Sequence, residues 1–116
     1  MNVPKIFESE YRFCLILWEN EPISSRKLSE LCKEKLGWSK TTTYTVIKRL
    51  SDRGVIKNEN AIVTALISKE QAQKAEVDGM LESRFEGSLP AFIAAFSKKK
   101  KLTDKEIEQI ISIIEK

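Results

Sequence analysis

The sequence contains no histidine, which removes the commonest general base of enzymes and a frequent metal ligand. Its two cysteines, Cys14 and Cys32, are not spaced as a CxxC pair. No glycine-rich phosphate loop, nucleophile elbow or clustered pair of carboxylates is present. We therefore expect a protein that is not an enzyme and that uses neither a cofactor nor a metal.

Long apolar runs are also missing, because Lys5, Glu8 and Glu10 interrupt any such run near the N-terminus. No stretch is long enough to span a bilayer, and no signal peptide opens the chain. We expect a cytoplasmic protein with no stable membrane association. Both cysteines fall at apolar helical positions, which favours buried, reduced thiols over a disulfide.

The basic residues are unevenly distributed along the 116 residues, which suffice for one domain or a small domain with an appendage. Residues 1–68 carry 11 Lys and Arg against 8 Asp and Glu, whereas residues 69–116 carry 9 of each, so the net charge of +3 belongs to the first part. Within residues 38–57, five cations stand against the single acid Asp52, as expected of a phosphate-binding surface. The five are Lys40, Lys48, Arg49, Arg53 and Lys57.

Two helices are predicted before residue 37. The first runs from about Ser9 to Glu19, and Pro22 follows its end. Its predicted apolar stripe consists of Tyr11, Cys14, Leu15 and Trp18, and Leu17 broadens it. Both Trp18 and Trp38 are expected in the core. Ser24 is the predicted N-cap of the second helix, which extends to about Lys35 and buries Leu28, Leu31 and Cys32, with Gly37 as its C-cap. Residues 24–27 could instead bind a phosphate through backbone amides, and both alternatives stay open.

A third helix, capped by Ser39 and ended by Gly54, has two chemically distinct faces. At about 100° per residue, one stripe is apolar and the opposite one is rich in hydroxyls and cations. The apolar stripe comprises Thr43, Val46, Ile47 and Leu50. Small hydroxyls near the N-terminus and cations further along suit a helix that enters a DNA groove, so we predict DNA binding. The predicted base contacts are Thr41, Thr42, Tyr44 and Thr45, and the predicted phosphate contacts are Lys40, Lys48, Arg49 and Lys57.

Two β-branched runs, 55–57 and 62–67, flank the polar turn 58–60 and predict a small hairpin. Three helices followed by a hairpin make a winged helix-turn-helix, predicted over residues 1–68.

Residues 69–116 predict three further helices. The first covers 69–87. The second begins at Ser88-Leu89-Pro90 and includes Phe92, Ile93 and Phe96. The linker-like run Lys98–Lys101 follows, and the third helix then opens with a Thr103–Glu106 capping box. This segment has more apolar surface than it can bury alone, so we expect a helical homodimerisation region, with packing within the chain as the alternative. The predicted dimer residues are Val77, Met80, Leu81, Phe85, Ile107, Ile110, Ile111 and Ile114. The fold class is thus mainly α with a small β-hairpin.

Five segments of the first part resemble the penicillinase-repressor family of the BlaI/MecI/CopY type, namely 11–19, 23–28, 38–45, 47–50 and 54–56. The tail is similar as well, from Ala95 through Leu102 and over 105–108. The resemblance implies a homodimeric transcriptional repressor whose winged helix binds a dyad operator. A protein-interaction module that uses the winged helix as a scaffold, without specific DNA binding, is the alternative.

The resemblance also bears on how repression is relieved. In the β-lactam branch a membrane sensor-protease triggers cleavage of an Asn-Phe bond in the dimerisation region, and the aligned bond here is Ala95-Phe96. We therefore take Ala95 and Phe96 as the candidate cleavage site and antibiotic resistance as the candidate pathway. The copper branch binds metal through C-terminal CxC motifs, which are absent because no cysteine follows Cys32. The hairpin is shorter than is common in the family, which weakens the expectation of wing contacts to DNA.

Overall fold

The computed structural model describes residues 3–99 and 103–115, with side chains over 3–95 and 103–113. Two compact units are present, Met1–Lys69 and Glu70–Lys116. The predicted fold class, mainly helical with a small antiparallel sheet, is confirmed. The elements in chain order are α1 (Glu8–Asn20), β1 (Ile23–Ser24), α2 (Ser25–Leu36), α3 (Lys40–Asp52), β2 (Ile56–Glu59), β3 (Ile62–Ala65), α4 (Lys69–Arg84), α5 (Leu89–Lys99) and α6 (Asp104–Glu115).

The predicted caps of α2 and α3 are confirmed. Ser24 Oγ accepts a hydrogen bond from the Lys27 amide at 3.1 Å, and Ser39 Oγ accepts one from the Thr42 amide at 3.1 Å. Gly37 adopts φ 71°, the left-handed conformation that ends α2 at little steric cost. These caps fix both ends of the short connection between α2 and α3.

The core of the first unit lies where α1, α2, α3 and the sheet meet. The predicted buried stripe of α3 is confirmed, because Thr43, Val46, Ile47 and Leu50 are all buried. Leu28 and Cys32 of α2 are fully buried as predicted, whereas Leu31 is only half-buried.

The predicted stripe of α1 is wrong in part. Phe13 and Leu17 are fully buried, and Cys14 nearly so, whereas Tyr11, Leu15 and Trp18 are half-buried. Helix α1 is apolar on more than one side, so its spacing fits two adjacent stripes and does not distinguish between them. Both tryptophans border the core and do not lie at its centre. Trp18 Nε1 donates to the Ile67 carbonyl at 2.9 Å, and Trp38 stacks on Phe13 with ring centroids 6.2 Å apart.

The predicted hairpin is confirmed, although residues 58 and 59 belong to β2 and not to the turn, and a third strand, β1, joins it. The strand order is β1-β3-β2, and both pairings are antiparallel, with Ile23 opposite Val63 and Ile56 opposite Ala65. Asn60 and Ala61 form the two-residue turn with φ of 53° and 63°. The sheet sets the wing beside the start of α2.

Cys14 and Cys32 are buried and free, as predicted. Burial, helped by the nearby Glu10 charge, raises the pKa of the Cys14 thiol to about 12. Burial also raises the pKa of the Cys32 thiol to about 11, although a hydrogen bond with Thr43 opposes this rise. Both thiols are therefore protonated at neutral pH.

In the second unit, α4 ends at Arg84, a few residues before the predicted boundary, because Glu86 and Gly87 turn left-handed with φ of 52° and 77°. Ser88 Oγ then caps α5 by accepting from the Ala91 amide at 3.1 Å. The Phe85 and Phe92 rings meet edge to face at 5.5 Å across this corner.

The end of α5 corrects the linker prediction. Helix α5 continues through Lys99, so Lys98 and Lys99 have helical backbone, while Lys100 and Lys101 lie outside the described residues. The capping box of α6 is confirmed, since the Glu106 amide donates to Thr103 Oγ1 at 3.1 Å and the Thr103 amide donates to Glu106 Oε1 at 3.2 Å.

Candidate nucleic-acid interface

The exposed face of α3 is fixed by the buried face opposite to it. Thr43, Val46, Ile47 and Leu50 anchor the helix in the core, which leaves the hydroxyl-rich and basic side in solvent. Six predicted DNA contacts on this side are exposed, as is the acid Asp52; the six are Lys40, Thr41, Thr42, Thr45, Lys48 and Arg49. Tyr44 is half-buried at the edge, with the Lys40 ammonium 5.9 Å from its ring centroid. The structure therefore brings together seven of the eight predicted DNA contacts on one helix.

Hydroxyl groups at the N-terminal end of α3 are held by local hydrogen bonds. Ser39 Oγ donates to Thr42 Oγ1 at 2.9 Å, and Thr45 Oγ1 donates to the Thr41 carbonyl at 2.9 Å. The Thr45 donor is thus used within the helix, so its hydroxyl can offer lone pairs and its side chain a methyl group. Among the described residues, the Thr41 hydroxyl makes no hydrogen bond, and it can act as donor or acceptor. These groups match the acceptors, donors and thymine methyls of a major groove.

The predicted basic surplus around α3 is smaller than the sequence count indicates. Lys48 Nζ lies 3.5 Å from Asp52 Oδ2, and Lys57 Nζ lies 2.6 Å from Glu59 Oε2. Both pairs are exposed, so each contributes little stability and either lysine can turn to a phosphate instead. The Lys57 ammonium, through its hydrogen bond and its charge, holds the pKa of the Glu59 carboxyl below its usual range.

Arg53, which the sequence count includes among the basic residues around α3, is bound inside the protein. Its guanidinium is bound to the buried Glu10 carboxylate of α1, so it does not belong to the exposed basic surface. Sequence spacing did not reveal this pair, because the two residues are 43 positions apart. Among the described residues, only Lys40 and Arg49 of the five counted cations have no carboxylate partner.

Lys57, the eighth predicted contact, lies on the wing. It starts the exposed run Lys57–Ile62 that forms the outer half of the hairpin. Both strands are only four residues long, in keeping with the expected short wing. The Lys57–Glu59 pair leaves this hairpin without a net charge, so any electrostatic attraction of the wing to DNA is weak.

Two polar backbone groups at the start of α2 form hydrogen bonds within the protein. Ser24 caps the Lys27 amide, and the Ser25 amide donates to the Ala61 carbonyl at 2.8 Å. Arg26 is near Glu30, with Nε 3.8 Å from Oε1. The Lys27 ammonium is exposed, and no described residue forms an ion pair with it, so its side chain is a candidate phosphate contact, whereas the sequence indicated only the backbone amides of residues 24–27.

Predicted dimer residues of the second unit lie on α4, the corner after it and α6. Leu81 is buried within its own chain, so it offers little surface to a partner. Val77 and Phe85 are half-buried, and Met80 is exposed. Ile107, Ile110 and Ile111 are half-buried along one side of α6, and the Ile114 side chain lies outside the described residues.

The candidate cleavage bond, Ala95-Phe96, lies inside α5. Ala95 is exposed, and the Phe96 side chain lies outside the described residues. Because proteases prefer exposed loops, this helical turn would have to open before cleavage.

Within the described residues, Cys, Asp and Glu side chains form no group of three that could hold a metal ion. Over the same residues, no helix has both the length and the apolar character needed to cross a membrane.

Comparisons with known proteins identify the family of this chain. The family model described as penicillinase repressor matches residues 6–116. The chain is 25% identical to the methicillin resistance regulatory protein MecI of Staphylococcus aureus (strain Mu50 / ATCC 700699), over 97% of this chain and 94% of that protein. It is 24% identical to the proteins of the same name from Mammaliicoccus sciuri and Staphylococcus epidermidis, with the same coverage. The chain therefore belongs to the penicillinase repressor family of DNA-binding transcriptional regulators, and it is not an enzyme.

Proposed function

We propose that this protein is a dimeric transcriptional repressor that occupies a palindromic operator through α3. The observation that carries the proposal is the face of α3: four buried residues hold the helix, and the opposite side presents hydroxyls at its N-terminal end and cations behind them. A helix-turn-helix places the N-terminal part of its second helix against base edges in the major groove. Bound at a promoter, such a protein excludes RNA polymerase.

The contacts divide by chemistry. Thr41, Thr42, Tyr44 and Thr45 lie in the first turns of α3, so we assign them to base edges. Base contacts determine sequence choice, whereas phosphate contacts supply affinity and orientation. We assign the phosphates to the cations, namely Lys40, Lys48, Arg49 and Lys57.

A second copy of the chain provides the second reading helix. Half-buried and exposed apolar residues on α4 and α6 support this part of the proposal, above all Met80 and the Ile107/Ile110/Ile111 side of α6. A two-fold dimer matches an operator whose half-sites are one helical turn apart, roughly 10 base pairs or a multiple. Homodimerisation would then contribute as much to operator affinity as the contacts of each α3.

The regulated genes are proposed from the relatives. Those relatives are named methicillin resistance regulatory proteins, so we propose β-lactam resistance or related genes as targets, regulated in the cytoplasm. Relief of repression would come from a membrane sensor-protease that triggers cleavage at Ala95-Phe96. Incubating the dimer with the cognate sensor-protease and measuring the chain by mass spectrometry tests this step. An intact chain under inducing conditions would exclude cleavage control.

Fluorescence anisotropy with DNA from upstream of the chain's own gene tests the main proposal. Wild-type protein should bind it more tightly than a scrambled duplex, and the affinity should fall as salt rises. Thr41→Ala, Tyr44→Ala and Thr45→Ala should reduce the difference between the two duplexes. Lys48→Ala and Arg49→Ala should weaken both equally and reduce the salt slope by about 0.9 for each lost phosphate contact. Unchanged binding in all five variants, or no salt-sensitive binding by the wild type, would favour the protein-interaction module.

A further inference from the structure

The Arg53 side chain joins the end of α3 to the start of α1. Its Nη2 donates to Glu10 Oε2, and its Nη1 donates to the Lys5 carbonyl at 2.7 Å. The other carboxylate oxygen, Glu10 Oε1, accepts the Phe7 amide at 2.9 Å. Glu10 is only 5% exposed, so Arg53 is the cation that compensates a buried negative charge.

The charge on Glu10 persists at neutral pH. Burial alone would raise the pKa of this carboxyl, but the hydrogen bonds from Arg53 and Phe7, with the positive charges of Arg53 and Arg49, lower it overall. A buried carboxylate that loses its partner is strongly unfavourable, and it attracts any cation within reach.

Arg49 is the cation best placed to respond. It precedes Arg53 by four residues and so occupies the neighbouring position on the same side of α3. Its backbone carbonyl accepts the Arg53 amide at 3.1 Å, its side chain is exposed, and it has no ion pair with any described residue. The positive charge of Arg49 already acts on Glu10.

We propose that Arg53 is a positioning residue for DNA binding: by neutralising Glu10, it keeps the Arg49 guanidinium free for an operator phosphate. The inference rests on the proposed function. Arg53 then supports binding without touching DNA, although sequence counting places it in the basic surface. Its removal exposes Arg49 to a competing carboxylate inside the protein.

Four variants test this directly, and R49A with R53M/R49A complete the set. Arg53→Met removes the cation, and the double variant R53M/E10Q also removes the carboxylate. Arg53→Lys keeps a charge beside Glu10, and Glu10→Gln alone is the matched control. Operator affinity is measured over a salt series at a temperature where circular dichroism shows each variant folded. We expect R53M to lose about tenfold in affinity, the equivalent of one good contact, with a salt slope shallower by about 0.9.

The double variant and R53K should regain the wild-type affinity and slope, and R53M/R49A should bind no more weakly than R49A. A purely structural role would not give this pattern, since it would alter stability and leave the binding of folded protein unchanged. If R53M/E10Q binds as weakly as R53M, Arg53 contacts DNA directly and the proposal is overturned. Wild-type affinity in folded R53M overturns it as well.

If R53M does not fold, the comparison of R53M/E10Q with E10Q decides. Equal affinity, within about twofold, excludes a direct phosphate contact by Arg53, as the proposal requires, because one phosphate contact is worth more than that. A weaker double variant contradicts it. Salt-sensitive operator binding by the wild type is measured first, and its absence would refute the proposed function and not merely the role of Arg53.

Discussion

The backbone amide of Ser25 donates a hydrogen bond of 2.8 Å to the Ala61 carbonyl, which joins the first turn of α2 to the tip of the hairpin. Ser24 Oγ meanwhile accepts the Lys27 amide. Two of the amides that could bind a phosphate at this helix start are therefore satisfied within the protein. This favours the capping role of Ser24 and makes the position of the wing depend on α2.

The wing tip can be stabilised by one substitution. Ala61 has φ of 63°, a conformation that costs a residue with Cβ about 1–2 kcal/mol, and the second position of this turn type favours glycine. Ala61→Gly should therefore stabilise the protein by about 1 kcal/mol, seen as a higher melting temperature in calorimetry. Asn60→Gly is the control and should gain less, because asparagine tolerates φ of 53°. An equal or lower melting temperature for Ala61→Gly would contradict this account.

The parts of the fold predicted correctly are those set by local chemistry. Ser39 and Gly37 act where a helix must begin and end, and the buried stripe of α3 follows directly from its spacing. The ends of α4 and α5 were misplaced locally, but the other errors are long-range. Strand β1 has only two residues and exists through pairing with β3, 38 or more positions along the chain, as in Ser24 opposite Ile62. Which of the two apolar stripes of α1 is buried likewise depends on the elements that pack against it.

The candidate site follows the same division. Six predicted contacts are exposed on α3 and Tyr44 lies at the edge of that face, because the helical spacing that buries the apolar stripe turns the other residues outward. Their electrostatic state was not predictable from position, since Arg53 finds Glu10 only when α1 and α3 pack. Charge counting along the sequence therefore overstated the basic surface.

Removing the acid of α3 should strengthen DNA binding. Asp52 pairs with Lys48 at 3.5 Å, and both side chains are exposed. Asp52→Asn removes a charge that repels phosphates and frees Lys48, so affinity for any duplex should rise several-fold and the salt slope should steepen by up to about 0.9. The change is measured by anisotropy on operator and scrambled DNA. Glu19→Gln, which makes the same charge change at an exposed site on α1, should have a smaller effect. Equal effects from both variants would show that Asp52 does not face DNA.

The two buried thiols should make the protein sensitive to alkaline pH. The folded-state pKa values, about 12 for Cys14 and about 11 for Cys32, exceed the unfolded value near 8.5. Below that unfolded pKa value, the two thiols make their full contribution to the free energy of unfolding. As pH rises further, the unfolded chain loses protons that the folded chain keeps, and stability falls by up to about 1.4 kcal/mol per pH unit for each thiol.

Urea unfolding at neutral and alkaline pH measures this fall. Cys14→Ala should lower stability at neutral pH because it leaves a cavity, but it should show a smaller loss between the two pH values than the wild type. All other titratable groups are the same in both proteins, so the difference isolates the thiol. A parallel pH dependence, or rapid labelling of native Cys14 by a thiol reagent near pH 8, would show that the thiol is not protected by burial.

The apolar side of α6 should control both assembly and DNA binding. Ile110 is half-buried there beside Ile107 and Ile111, whereas Gln109 is exposed on the other side. Ile110→Lys should weaken the proposed dimer, because burying an unpaired ammonium at an apolar interface is costly. Gln109→Lys adds the same charge to the same helix and should leave the dimer intact.

Light scattering gives the mass, and anisotropy gives the operator affinity. We expect Ile110→Lys to yield monomers that bind the full operator about as weakly as a half-site, because the two α3 helices are no longer linked. Monomers with undiminished operator affinity would mean that each α3 acts alone.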